Sequence, residues 1–146
     1  MEIRRDLQMH PELSEHEVRT AEKIMGDLSR CGIKHRCGVA GNEIVAWIEG
    51  RKPPQGDLLF RGVGIRADMD ALPVKELADV PFRSVNEGVM HACGHDIHTA
   101  MALGSARILK EMEYEFSGAV KFFFQPSEET VGGADRMIAE GCLLYP

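Results

Sequence analysis

No apolar stretch in the sequence approaches the roughly 18 to 20 residues needed to cross a bilayer, because charge or glycine interrupts every hydrophobic run. A membrane-spanning role is set aside on that ground. Clusters of Lys and Arg are also missing: 17 basic against 23 acidic residues give a formal charge of −6. The electrostatic attraction that nucleic-acid binders and anionic-membrane binders depend on is therefore lacking. The first residues, Met1 to Asp6, have no apolar signal-peptide core, which favours the cytoplasm. Four cysteines, Cys31, Cys37, Cys93 and Cys142, form no CxxC pair, so reduced thiols are expected, with a local Cys31–Cys37 disulfide as the alternative. There is no internal repeat and no low-complexity segment.

What is there suits one globular domain. A chain of 146 residues with 44% hydrophobic side chains can build a core. Val18, Ala21, Ile24, Met25 and Leu28 recur at helical spacing, and Ser14 with Glu17 reads as a capping box for a helix over 14–30. Two β-branched or aromatic runs, 42–49 and 57–67, predict strands. A helix is expected from Asp96 to about Met112 with Ile97, Ala100, Met101, Ala106, Ile108 and Leu109 as its apolar positions. Val120 to Phe124 then reads as a buried strand, and a short helix follows Gly132-Gly133 and ends at Gly141. Residues 52–57 predict a turn, and 78–89 an irregular connection. Helices alternating with strands give an α/β class with a mixed or mostly parallel sheet.

In open α/β sheets ligand chemistry gathers beyond the carboxyl ends of strands. Arg66-Ala67-Asp68-Met69-Asp70 follows one predicted strand, Gln125-Pro126-Ser127-Glu128-Glu129 another, and His91-Ala92-Cys93-Gly94-His95-Asp96-Ile97-His98 opens a helix. A loop turned by Gly94 can aim Cys93 and His95 at one point; a thiolate and an imidazole are zinc ligands, and the helix N-terminus favours thiolate. The plainer alternative is a small buried thiol beside a capping histidine. Glu128 and Glu129 alternate in direction at a strand end, so one can hold a metal while the other does acid/base work, although paired glutamates are usually a solvated surface. Asp68, Asp70 and Asp96 are equivalent at this level as carboxylates that orient a histidine or cap backbone. His10 reads as structural, and His16 and His35 as surface residues.

Five ordered motifs together carry a resemblance: HPELS (10–14), RADMDALP (66–73), GVMHACGHDIHTAM (88–101), FFQPSEE (123–129) and GGADRMIAEG (132–141). They resemble the metal-dependent amidohydrolases of the carboxypeptidase G and aminoacylase peptidase superfamily, the group of hippurate hydrolases, N-acyl-amino-acid amidohydrolases and indole-acetyl-amino-acid hydrolases. The resemblance implies a three-layer phosphorylase/hydrolase-like (zinc-peptidase-like) α/β domain and a two-metal hydrolase that cleaves the amide of an N-acyl amino acid or dipeptide-like substrate. It implies Cys93, His95 and Glu129 as metal ligands, Glu128 as general base and Asp68 as the carboxylate that orients a ligand. Zinc is the first expectation for the metal, with manganese, cobalt or nickel as alternatives.

Two departures stand out. Family members often have histidine where this chain has Gln8, and related branches have histidine where it has Arg66. The family pattern also continues with a further histidine ligand, an inserted lid or dimerisation domain and a late segment with a final histidine. Residues 1–146 are thus expected to be the N-terminal segment of a metallopeptidase-like catalytic domain. Alone they would be a weak metal binder, nearly inactive, and a homo-oligomer or poorly stable, the competing readings being a non-catalytic metal-binding or interaction module and a half-protein completed by a separate chain.

Overall fold

Phe122 and Phe124, two residues apart and both fully buried, define the inner face of the sheet. They belong to β4 (Ala119–Gln125) in a computed structural model that describes residues 1–38, 42–54, 62–130 and 132–144. The sheet order is β1-β2-β4-β3. β1 (Lys34–Cys37) pairs antiparallel with β2 (Ile44–Glu49), β2 pairs antiparallel with β4, and β3 (Gly62–Asp68) runs parallel to β4. The sheet is mixed, as expected. Of these three pairings one is parallel, so parallel pairing does not predominate among the described strands. The parallel pair is joined through a crossover helix, α3 (His95–Glu111), because two parallel neighbours cannot be linked by a hairpin.

Along β2, Ile44, Ala46 and Ile48 face the same side as the two phenylalanines. They meet Ala21, Ile24 and Leu28 of α2 (Val18–Arg30) and Ala102, Leu103 and Ala106 of α3. Val45 points the other way, towards Met137 of α4 (Gly133–Ala139) and Cys142. α2 and α3 cover one face and α4 lies on the other, which gives the three-layer α/β arrangement. Each large apolar side chain buried this way contributes roughly 1.5–3 kcal/mol. Among the described residues no helix is long and apolar enough to cross a membrane.

Several sequence expectations need correction. The capping box does not form: α2 starts at Val18, and the N–H groups of its second and third residues, Arg19 and Thr20, donate to the Glu12 carboxylate at 3.1 and 2.8 Å. Ser14 and Glu17 have long-range partners instead. In α3 the predicted apolar positions Ile97, Met101 and Ile108 are exposed, and the first turns bury His95, Asp96 and Thr99. The inward face of that end is polar because it borders the strand ends. β3 begins at Gly62; residues 57–61 of the predicted strand and 55–57 of the predicted turn lie outside the described residues. An additional helix, α1 (Glu2–Met9), buries Leu7 and lays Ile3 against the core. All four cysteines are thiols, so the Cys31–Cys37 disulfide is not formed.

Candidate metal centre

Parallel pairing sets the carboxyl ends of β3 and β4 side by side, with Asp68 opposite Gln125. The Met69 N–H then donates to the Gln125 carbonyl at 3.1 Å, so Asp70 and Ser127–Glu129 leave the sheet together. α3 starts at the same end. Gly94 precedes it with φ +86°, a left-handed conformation that turns the chain between Cys93 and His95. Three segments far apart in sequence thus converge on one point.

His95, 2% exposed, is the hub. Its Nδ1 lies 2.9 Å from the Asp70 carbonyl oxygen and 3.1 Å from Asp70 Oδ1. Two acceptors there assign the proton to Nδ1 and leave the Nε2 lone pair facing outward. Nε2 sits 3.6 Å from Asp68 Oδ1 and 3.7 Å from Glu129 Oε1. Donor atoms of Cys93, His95 and Glu129 all lie within 4.8 Å of one another. Glu129 Oε1 is buried and accepts no hydrogen bond. A buried carboxylate oxygen aimed at an imidazole lone pair and a thiol is unfavourable unless a cation lies between them, so the donor set fits a divalent metal.

Asp70 is the anchor of this geometry. Its Oδ2 accepts from Ser14 Oγ at 2.7 Å and from the Glu129 N–H at 2.9 Å. Burial pushes its pKa up, but hydrogen bonds from His95, the Glu129 N–H, Ser14 and the Glu128 N–H outweigh that and hold the carboxyl well below the usual range. The same network acts on His95, where burial disfavours the charged ring and the Asp70 bond with the Asp68 and Asp70 charges raises its pKa. The carboxylate against the Nδ1 of His95 is therefore Asp70. Asp68 lies on the Nε2 side; its Oδ1 is 2.6 Å from His98 Nδ1, and its carbonyl accepts from Thr99 Oγ1 at 2.9 Å. Asp68, His95 and His98 form a second set of close donors.

The Cys93 thiol does not have the lowered pKa expected of a thiol at a helix N-terminus. The Glu129 carboxylate beside it, slight desolvation and the Glu128 and Asp68 charges push the thiol pKa up. Beside a divalent cation Cys93 would instead be favoured as the thiolate. Glu128 and Glu129 diverge, but in a bend past the end of β4 rather than by strand alternation: Glu129 turns inward, while Glu128 is exposed with Oε1 3.9 Å from Arg66 Nη2. Arg66 is fixed by Gln125 Oε1 at 2.7 Å and also reaches Asp68 Oδ2 at 3.4 Å. It links the two predicted catalytic carboxylates, a role the sequence alone did not suggest.

The remaining polar candidates lie outside the donor set. Both ring nitrogens of His91 are buried without a hydrogen-bond partner, and burial lowers its pKa. Asp96 is held by Arg4 at 2.6 Å, and His10 Nδ1 bonds the Asp6 carbonyl at the end of α1, a structural use. Gln8 is buried and donates to Glu76, whose other oxygen accepts the Ser84 N–H, so it secures the irregular connection.

Relatives bear on this geometry directly. The family model described as peptidase family M20/M25/M40 matches residues 64–145, more than half of the chain. An IAA-amino acid hydrolase ILR1-like 6 of Arabidopsis thaliana is 43% identical over 141 residues, covering 97% of this chain and 29% of that protein. The N-acetylcysteine deacetylase of Bacillus subtilis is 42% identical over 142 residues, covering 97% and 36%. Among solved structures, the YxeP protein of Bacillus subtilis, described as a dinuclear metal binding peptidase of the M20 family, superimposes with a TM-score of 0.90 at 41% identity. That match covers 98% of this chain and 38% of that one. The chain thus spans about a third of the length of the relatives it matches. With its three-layer fold, its paired strand ends and a match running through both glutamates and the Cys93–His95 turn, the chain belongs to the peptidase family M20/M25/M40.

Proposed function

We propose that the protein is a metal-dependent hydrolase of small molecules that cleaves the amide bond of N-acyl amino acids, with Cys93, His95 and Glu129 as metal ligands and Glu128 as general base. The observation that supports it most is the buried, unpartnered Glu129 Oε1 beside His95 Nε2 and the Cys93 thiol. Two divalent ions are proposed, zinc first and manganese, cobalt or nickel next, in keeping with the dinuclear relative. When bound, such ions polarise the amide carbonyl and make water acidic enough to attack.

The chain's own residues do the rest. Asp70 keeps His95 in the Nδ1–H tautomer, so its Nε2 is available to a ligand before any substrate arrives. Glu128 accepts a proton from the attacking water and delivers it to the nitrogen of the leaving amine. Its carboxylate is exposed, as a group that must meet substrate has to be, and Arg66 steadies it from 3.9 Å. Asp68 acts from the Nε2 side of His95 and fixes His98. Catalytic zinc commonly takes about three protein ligands and keeps one position open, so three donors shared by two ions call for further ligands from the rest of the longer protein. The edge of β3, unpaired among the described residues and with Val63 61% exposed, supports self-association of residues 1–146 when expressed alone.

The test is metal content together with hydrolysis of N-acetyl and N-benzoyl amino acids by the full-length protein. Metal-dependent release of the free amino acid, abolished by a chelator, is expected. Full metal loading with no release from either substrate class would contradict the reading.

A further inference from the structure

Two described non-glycine residues have positive φ, Glu15 at +69° and Ser127 at +54°, and although 112 positions apart they touch. The Glu15 N–H donates to Ser127 Oγ at 3.0 Å. A second bond runs back: the Ser127 N–H donates to Glu17 Oε1 at 2.7 Å, inside the protein. Glu17 is fully buried, and its other oxygen accepts from Asn42 Nδ2 at 3.3 Å. No Lys or Arg pairs with it among the described residues. A buried carboxylate without a cation is a poor device for stability, since desolvation opposes its charge and an apolar side chain of the same size would fill the space better. Burial accordingly raises its pKa.

What that carboxylate does accomplish is local. Ser127 is the residue at which the chain leaves β4 and begins the Glu128–Glu129 pair. A left-handed serine is strained and persists only when its surroundings hold it. Glu17 and the Glu15 N–H hold it from both sides. The N–H groups of both glutamates also reach Asp70, that of Glu129 at 2.9 Å, whereas among the described residues the Glu128 side chain has only the long contact with Arg66.

We propose that Glu17 is a positioning residue: by accepting the Ser127 N–H in the core it locks the left-handed turn that sends Glu129 inward to the metal donors and Glu128 outward to the substrate. This rests on the roles of the two glutamates given above, and it assigns the first loop of the chain a part in the reaction. Gln at position 17 keeps an oxygen for the Ser127 N–H; Met fills the same space without one.

The experiment compares Glu17→Met and Glu17→Gln in the full-length protein, with wild type and Glu128→Gln alongside. It measures kcat, KM and zinc affinity by competition with a chromophoric chelator. Glu17→Met is expected to lower kcat by about 10-fold or more with KM within about two-fold, and to weaken zinc by about three-fold or more. Glu17→Gln is expected to restore all three to near wild type. Wild-type kcat in Glu17→Met, or equal losses in both variants, overturns the proposal. If Glu17→Met does not fold, adding Ser127→Gly decides, because glycine adopts the turn unaided. The proposal expects the double variant to fold with kcat recovered; a folded double variant with kcat still reduced, or one that again fails to fold, overturns it. If wild type hydrolyses no N-acyl amino acid, the proposed activity fails separately, and zinc affinity still reads the turn: weaker in Met and normal in Gln supports the role, equal in all three overturns it.

Discussion

Two turns deliver the donors of the candidate centre, and each makes its left-handed bend differently. At the Cys93–His95 turn the bend falls on Gly94, φ +86°, where an added Cβ would meet nothing within 4 Å. At the Glu128–Glu129 turn it falls on Ser127, which has a Cβ and is gripped by two hydrogen bonds from the loop before α2. Glycine supplies the conformation by itself; serine needs neighbours to impose it. The first turn is therefore set locally, and the second only when the distant loop that carries Glu15 and Glu17 has docked. Asp70 ties the two together, with one oxygen at His95 and the other at the Glu129 N–H.

The largest expected effect comes from the chemistry at the serine turn. Glu128→Gln keeps the shape of the side chain but removes its ability to take a proton. Turnover should fall by roughly 100- to 10,000-fold with metal content nearly normal. Steady-state kinetics with metal analysis checks this, and ordinary turnover at full metal content would remove Glu128 from the role of base. Next in size is Asp70→Asn, which loosens both turns at once. Loss of such an orienting partner typically weakens metal binding by about 10- to 100-fold, measurable by chelator competition. An unchanged affinity would mean that the two turns are not coupled through this residue.

Smaller effects separate the turns. Gly94→Ala forces a side chain into the left-handed region and should destabilise the fold by about 1–2 kcal/mol in urea or thermal unfolding. Ser127→Gly relieves the same strain but gives up the Glu15 contact and frees the unfolded chain. Its net change should stay within about 1 kcal/mol of zero. If both variants lost equal stability, the contrast between a self-sufficient and a braced turn would collapse.

How far these features were legible in the sequence follows from the range over which each is determined. Helical spacing in α2, the apolar run of β4 and the Gly-rich opening of α4 are local patterns, and all three elements form close to where they read. α1 has half its residues charged and β1 is a mostly exposed four-residue edge, so neither carries an apolar period to detect. Ser14 and Glu17 matched a capping pattern, yet tertiary partners 56 and 110 positions away claimed both side chains. Cys93, His95 and the two glutamates could be singled out because their chemistry and proximity to predicted strand ends are visible in one dimension. Which aspartate faces His95 Nδ1 was not, since Asp68 and Asp70 are separated only by how the chain turns after β3. Arg66 was hidden for the same reason: its contacts cross from one strand end to the next.

The most direct test of the account is the alkylation rate of individual cysteines, followed by mass spectrometry of peptides with and without zinc. Cys93 and Cys37 are both exposed, which makes Cys37 the internal control, while Cys142 is buried. Zinc should slow modification of Cys93, a chelator should restore it, and Cys37 should react at the same rate throughout. Equal protection of both thiols, or no protection of Cys93 at zinc concentrations that load the protein, would contradict a metal centre built on Cys93, His95 and Glu129.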